Sequence, residues 1–157
     1  MSTVPTLNGQ VIGQAHYATR ALLEQTIAPL GVEFNQLLAL NVLANGPVEQ
    51  AQLTQRITST LKVDEREVRR VLTTLVDADL AQSDPDTATR LRLTDAGRAV
   101  QARIADAVAG ISARLYADIP PAEASAAAQV LTVVTQRANA ELAATEHTGA
   151  GNASTPA

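Results

Sequence analysis

Residues 64–93 constrain this chain most, because the hydrophobic period there changes from helical spacing to strict alternation. In Asp64-Glu65-Arg66-Glu67-Val68-Arg69-Arg70-Val71-Leu72-Thr73-Thr74-Leu75-Val76, the residues Val68, Val71, Leu72, Leu75 and Val76 recur at threes and fours. That spacing predicts an amphipathic helix with one apolar stripe turned to a core. Its other side gathers Arg66, Arg69, Arg70 and Thr73 on an exposed ridge. Asp64 is placed to accept from the first-turn N–H groups, with Glu67 reaching back as in a capping box. Further on, Arg90-Leu91-Arg92-Leu93 sends the leucines one way and the arginines the other. Asp84-Pro85-Asp86-Thr87 is turn chemistry, so a hairpin of 80–84 with 89–93 is expected.

The rest of the chain reads as helices around this unit. A first helix is expected over 8–28, stopped by Pro29 and Gly31, with Val11, Ile12, Ala15, Thr19, Leu22, Leu23 and Ile27 on one face. A second, over 33–44, buries Phe34, Leu37, Leu38 and Val42 and ends at Asn45-Gly46-Pro47. Pro47 and Val48 form a short extended piece before a third helix, 49–60, anchored by Leu53 and Ile57. Thr94 caps a fifth helix to about 117, and Pro120-Pro121 separates it from a sixth, 121–145. In that last helix Ala124, Ala127, Leu131, Val134, Ala138 and Leu142 keep the seam period of helices packed on helices. The expected organisation is a flexible start at 1–7, one domain at 8–145 and a disordered tail at 146–157. Within the domain, 46–93 is a winged helix-turn-helix, while 8–45 and 94–145 supply dimerisation helices. The fold class expected is mainly α with a small β-hairpin wing.

Charge distribution sharpens the functional reading. The 157-residue chain carries 12 Lys or Arg against 16 Asp or Glu, a net charge of −4. Nine of those cations lie in 46–103 beside nine acidic residues, so this segment is neutral and the remainder holds the whole negative excess. Cations concentrated on the reading segment of an acidic protein suit a DNA footprint. The absence of cysteine excludes disulfides and thiolate metal sites. His16 and His147 alone do not make a zinc site, and no metal or cofactor is expected. No phosphate loop, nucleophile elbow or paired-carboxylate motif points to an enzyme. With no membrane span and no signal-like N-terminus, a cytoplasmic protein is expected.

Leu93-Thr94-Asp95-Ala96-Gly97, Leu30-Gly31-Val32 and Gly46-Pro47-Val48 stand at the junctions of this layout. Over about 8–145 the chain resembles the MarR family of bacterial transcription regulators, whose Leu-Thr-Glu-x-Gly motif the first of these matches most specifically. Asp64 and Arg70 fall where that family has a capping Asp and often an Arg. The chain departs from the pattern in four places. The turn between Ile57 and Asp64 is longer, Asp79 replaces a helix-ending Gly, Ala81-Gln82-Ser83 replace basic wing residues, and the wing is shorter. Its Asp-x-Arg motif has only Asp86 and Arg90 as nearest candidates.

The resemblance implies a homodimer binding double-stranded DNA, a pseudo-palindromic operator, and repression relieved by a small effector. Arg66 and Arg69 are then expected to read bases, Arg70 to clamp phosphate and Thr73 to contact the duplex, with Arg90 and Arg92 in the minor groove. The competing reading of the ridge is a solvated helix face, paired as Glu65 with Arg69 and Glu67 with Arg70. His16, Tyr17 and Arg20 are candidates for a cleft holding a small aromatic or carboxylate effector, or else packing residues of an interface. A winged-helix module that binds protein and has lost DNA binding is the alternative function. The depleted wing and net acidity favour it, and the arginine ridge opposes it.

Overall fold

A computed structural model of the chain describes residues 6–150. Its elements run α1 (Gly9–Ile27), a 3-10 turn (Ala28–Leu30), α2 (Phe34–Leu43), β1 (Val48–Glu49), α3 (Gln50–Leu61), α4 (Glu65–Asp77), β2 (Ala81–Ser83), β3 (Arg90–Leu93), α5 (Asp95–Leu115) and α6 (Pro121–Ala150). The chain divides after Arg114 into two compact units.

The first unit is built on α2, α3 and α4. Leu40, Leu53, Ile57, Val68, Val71 and Leu75 are all fully buried and share one cluster with Ile27, Leu93 and Ile104. The helix starts follow their caps. Asn8 Oδ1 accepts from the Val11 N–H at 3.0 Å, and Asp64 Oδ1 accepts from the Glu67 N–H at 2.8 Å. Each satisfies a donor that the first turn leaves without a partner. The Glu67 side chain does not reach back to Asp64 as expected, because Arg70 one turn further along α4 and Asn35 of α2 claim it. Val76 also leaves the stripe expected of it and is 44% exposed. It lies on the edge of the stripe that already turns Leu72 and Leu75 inward.

Three strands form one antiparallel sheet in the order β1-β3-β2. In β3 the leucines are buried and Arg90 is exposed, as alternation requires. The short extended piece expected at Pro47 and Val48 becomes a third strand, a pairing not expected: Val48 and Glu49 pair with Leu91 and Arg90. β2 pairs Ala81 with Leu93, Gln82 with Arg92 and Ser83 with Leu91. At the tip the Asp84 side chain accepts from the Asp86 N–H at 2.8 Å, a local turn bond.

The junction of sheet and α5 explains the Leu93–Gly97 motif. Thr94 Oγ1 donates to the Asp79 carbonyl at 2.5 Å and accepts from the Gly97 N–H at 2.9 Å, while the Thr94 N–H bonds the Leu80 carbonyl at 3.1 Å. Asp79 holds a left-handed φ of 58°, the position where the resembled family has Gly. α3 runs to Leu61, and Lys62 closes it with φ 57°, so the longer turn is absorbed as added helix. On α1 only Ile27 is buried, and Val11 is 39% exposed.

In the second unit α6 extends through Ala150, past the expected end at 145 and into the expected tail. None of its described residues is buried, and Val130, Leu131, Val133, Val134 and Leu142 are 38–52% exposed. Of the expected flexible termini, residues 1–5 and 151–157 lie outside the described residues. No single helix among the described residues is long and apolar enough to cross a membrane.

Candidate nucleic-acid interface

The polar side of α4 divides into two strips with different surroundings. Arg66, Arg69 and Thr73 form the outer strip and are exposed. Arg66 and Arg69 have no ion-pair partner among the described residues, so the expected Glu65–Arg69 pair is not formed. Arg69 lines a groove of about 760 Å³ with Gln50, Thr54, Gln55, Ser59 and Glu65. Arginine guanidiniums beside hydroxyl and amide groups offer the donors that phosphate and base edges accept. The α3 face of this groove was not singled out in the sequence. Its signal was Gln, Thr and Ser recurring over 50–59 opposite Leu53 and Ile57.

Glu67, Arg70 and Thr74 form the inner strip, which faces the start of α2. Arg70 Nη2 donates to Glu67 Oε1 at 2.7 Å and to Glu33 Oε2 at 3.0 Å, and its Nε donates to Glu67 Oε2 at 3.0 Å. Asn35 Nδ2 donates to Glu67 Oε1 at 3.0 Å, and Gln36 Nε2 donates to Thr74 Oγ1 at 2.9 Å. These bonds, Arg70 first and Asn35 second, hold the Glu67 carboxyl down to about 2 from an ordinary 4.5. The same carboxylates raise the Arg70 guanidinium above its usual range.

The wing arginines are also engaged. Arg90 Nε donates to Glu49 Oε1 at 3.0 Å, across the β1–β3 pairing, and not to Asp86. Arg92 faces Gln82, whose amide oxygen, turned to satisfy both groups, accepts from Nε at 3.1 Å and Nη2 at 2.9 Å.

The expected effector residues separate. Arg20 lines a cleft of about 380 Å³ with Val32, Glu33, Phe34 and Asn35. Its guanidinium sits 4.3 Å from the Phe34 ring centre and bonds Glu24 Oε1 at 2.8 Å. His16 and Tyr17 stack edge to face at 5.5 Å, outside the residues lining that cleft, and Tyr17 is 72% exposed.

A helix-turn-helix of α3 and α4 with an attached three-stranded wing defines the winged-helix class of folds. Within that class the chain has the fold of the MarR-family transcriptional regulators. The transcriptional repressor CouR superposes with a TM-score of 0.70 at 23% identity, covering 83% of this chain and 93% of that one. A MarR-family protein of Mycobacterium tuberculosis in complex with DNA gives 0.62 at 20% identity, over 83% of this chain and 98% of that one. The Mycobacterium tuberculosis MarR-family complex with p-aminosalicylic acid gives 0.61 at 20% identity, over 82% and 98%. No protein-family model and no curated protein matches the chain.

Proposed function

We propose that the chain is a MarR-type transcriptional regulator that binds double-stranded DNA as a homodimer through α4. The observation that carries this reading is the pair of exposed, unpaired arginines on the outer strip. Arg66 and Arg69 are the base-reading residues, with Thr73 beside them and the α3 side of the groove against phosphate. Two copies place their helices in successive major grooves of a pseudo-palindrome, half-sites roughly 10 bp apart or a multiple. Occlusion of a promoter makes it a repressor, working in the cytoplasm where its DNA lies. Relief comes from a small aromatic carboxylate in the cleft of Arg20 and Phe34. A fold neighbour seen with p-aminosalicylic acid supports that class of effector. His16 and Tyr17, outside this cleft, are assigned no effector contact within the chain.

The test is fluorescence anisotropy on DNA from upstream of the chain's own gene, against a random duplex, with salt titrated. Salt-sensitive binding with roughly a thousandfold preference for the upstream duplex is expected. Arg66→Ala and Arg69→Ala are expected to relax that preference by about 1–3 kcal/mol each. Equal, salt-insensitive behaviour on both duplexes would favour the second reading, a winged-helix module that binds protein. The Arg90–Glu49 pair and the absence of cations on β2 favour that reading.

A further inference from the structure

Arg70 stands on the recognition helix of this fold, yet its surroundings differ from those of Arg66 and Arg69. Its guanidinium directs Nε and Nη2 at two carboxylates from two elements, Glu67 of α4 and Glu33 at the start of α2. Three side chains of α2's first turn, Glu33, Asn35 and Gln36, meet Arg70, Glu67 and Thr74, spaced three and four apart along α4. The cluster sets two carboxylates, Glu33 and Glu67, against the one guanidinium of Arg70. A phosphate drawn to Arg70 would meet two carboxylates already bonded to it, so the cluster repels what an isolated arginine attracts.

Building on the DNA-binding reading, we infer that Arg70 is a positioning residue which, with Glu33 and Glu67, keys the recognition helix to the start of α2 and takes no phosphate itself. Bonds at three levels of α4 fix both its rotation about its own axis and its slide along α2. Those two freedoms decide where Arg66 and Arg69 meet the base edges. A fork-shaped guanidinium spans two carboxylates from different helices, which a point-charged ammonium does not reproduce.

The test compares Arg70→Gln, Arg70→Lys and Glu33→Gln with Arg69→Ala, in anisotropy titrations on the upstream and random duplexes over a range of salt. For Arg70→Gln the expected result is about a threefold loss on the upstream duplex, the scale of a partly exposed ion pair. The salt slope should be unchanged, and Arg70→Lys should recover only part of the loss. Arg69→Ala sets the reference for a base-reading residue, a relaxed preference, whereas loss of a phosphate contact lowers the slope by about one. A fall in slope of about one for Arg70→Gln overturns the inference, as does binding unchanged from wild type.

Glu33→Gln gives a decision of opposite sign that survives poor folding of the arginine variants, because Glu33 is 63% exposed and removes little packing. As a brace it weakens upstream binding by about twofold to threefold and leaves the random duplex unaffected. If Arg70 were a phosphate clamp, losing the competing carboxylate would instead strengthen binding to both duplexes. Absence of salt-sensitive binding by the wild-type chain would overturn the DNA-binding reading itself, a result distinct from any variant's departure from wild type.

Discussion

Single residues decide two properties of this molecule, the closeness of one backbone junction and the response to acid. A Cβ built on Gly97 would sit 1.9 Å from the Leu80 carbonyl oxygen and 2.8 Å from its carbon, both backbone atoms. Nothing flexible stands there to yield, and the same carbonyl accepts from the Thr94 N–H, so the sheet edge and α5 must separate. Gly97→Ala is expected to destabilise the fold by about 3 kcal/mol, read as a lower denaturant midpoint at unchanged slope. Glu67 governs acid behaviour. Its carboxyl titrates near 2 in the folded chain against an ordinary 4.5. Its contribution is therefore complete above 4.5, fades as pH falls from 4.5 toward 2, and is absent below that. Melting temperatures of wild type and Glu67→Gln should differ by a constant amount from pH 7 to about pH 5 and converge as pH approaches 2. A gap that persists to the acid end would assign the stabilisation to something other than this carboxylate.

Among the elements, α4 was legible from sequence because burial on one face and charge on the other leave a strong period, and its cap Asp64 sits one residue before it. The hairpin was legible from alternation and from the Asp-Pro-Asp turn. β1 was legible only as a short extended piece, since two residues carry no period and become a strand only by pairing with Leu91 and Arg90. Local spacing gave the Glu67–Arg70 pair, which is formed, but not the partners that other elements bring to Arg70 and Arg90. Glu33 lies 37 residues from Arg70, and Glu49 lies 41 from Arg90, so only the fold brings them together. Val76 was placed inside the stripe by a period that does not register where a stripe ends. These differences change the wing's expected behaviour. Arg90 is held by a carboxylate, while Arg92 is held by a neutral amide that gives way at lower cost. If the wing reaches the minor groove, any preference for A·T-rich flanks resides in Arg92. Arg92→Ala should abolish that preference in anisotropy titrations on duplexes differing only in their flanks, and Arg90→Ala should leave most of it. Equal loss in both variants would mean that the Glu49 pair opens on DNA.

For the whole molecule, the proposed homodimer needs an association surface, and α6 offers an exposed apolar one. Val130, Leu131, Val133, Val134 and Leu142 each expose more than a third of their surface on a 30-residue helix with no buried residue among those described. An apolar face of this length, with small residues permitting close approach, suits association with a second copy. α1, with Val11 exposed and Leu22 and Leu23 half-buried, offers a further apolar surface. Two reading heads on one assembly convert the second half-site contact into an intramolecular event, which raises affinity by about 10²–10⁴ without any new contact. The melting temperature of the wild-type chain should then rise with protein concentration, because association stabilises by mass action. Leu131→Glu with Val134→Glu should remove that dependence, halve the mass in sedimentation and lower affinity for the full upstream duplex by about 10²-fold or more. Binding to an isolated half-site should change little, since α4 is untouched. If the doubly substituted chain kept its full-duplex affinity as a monomer, one head would suffice and a pseudo-palindrome would not be needed. If it remained a dimer, the association surface would lie elsewhere, and α1 would be the next face to charge.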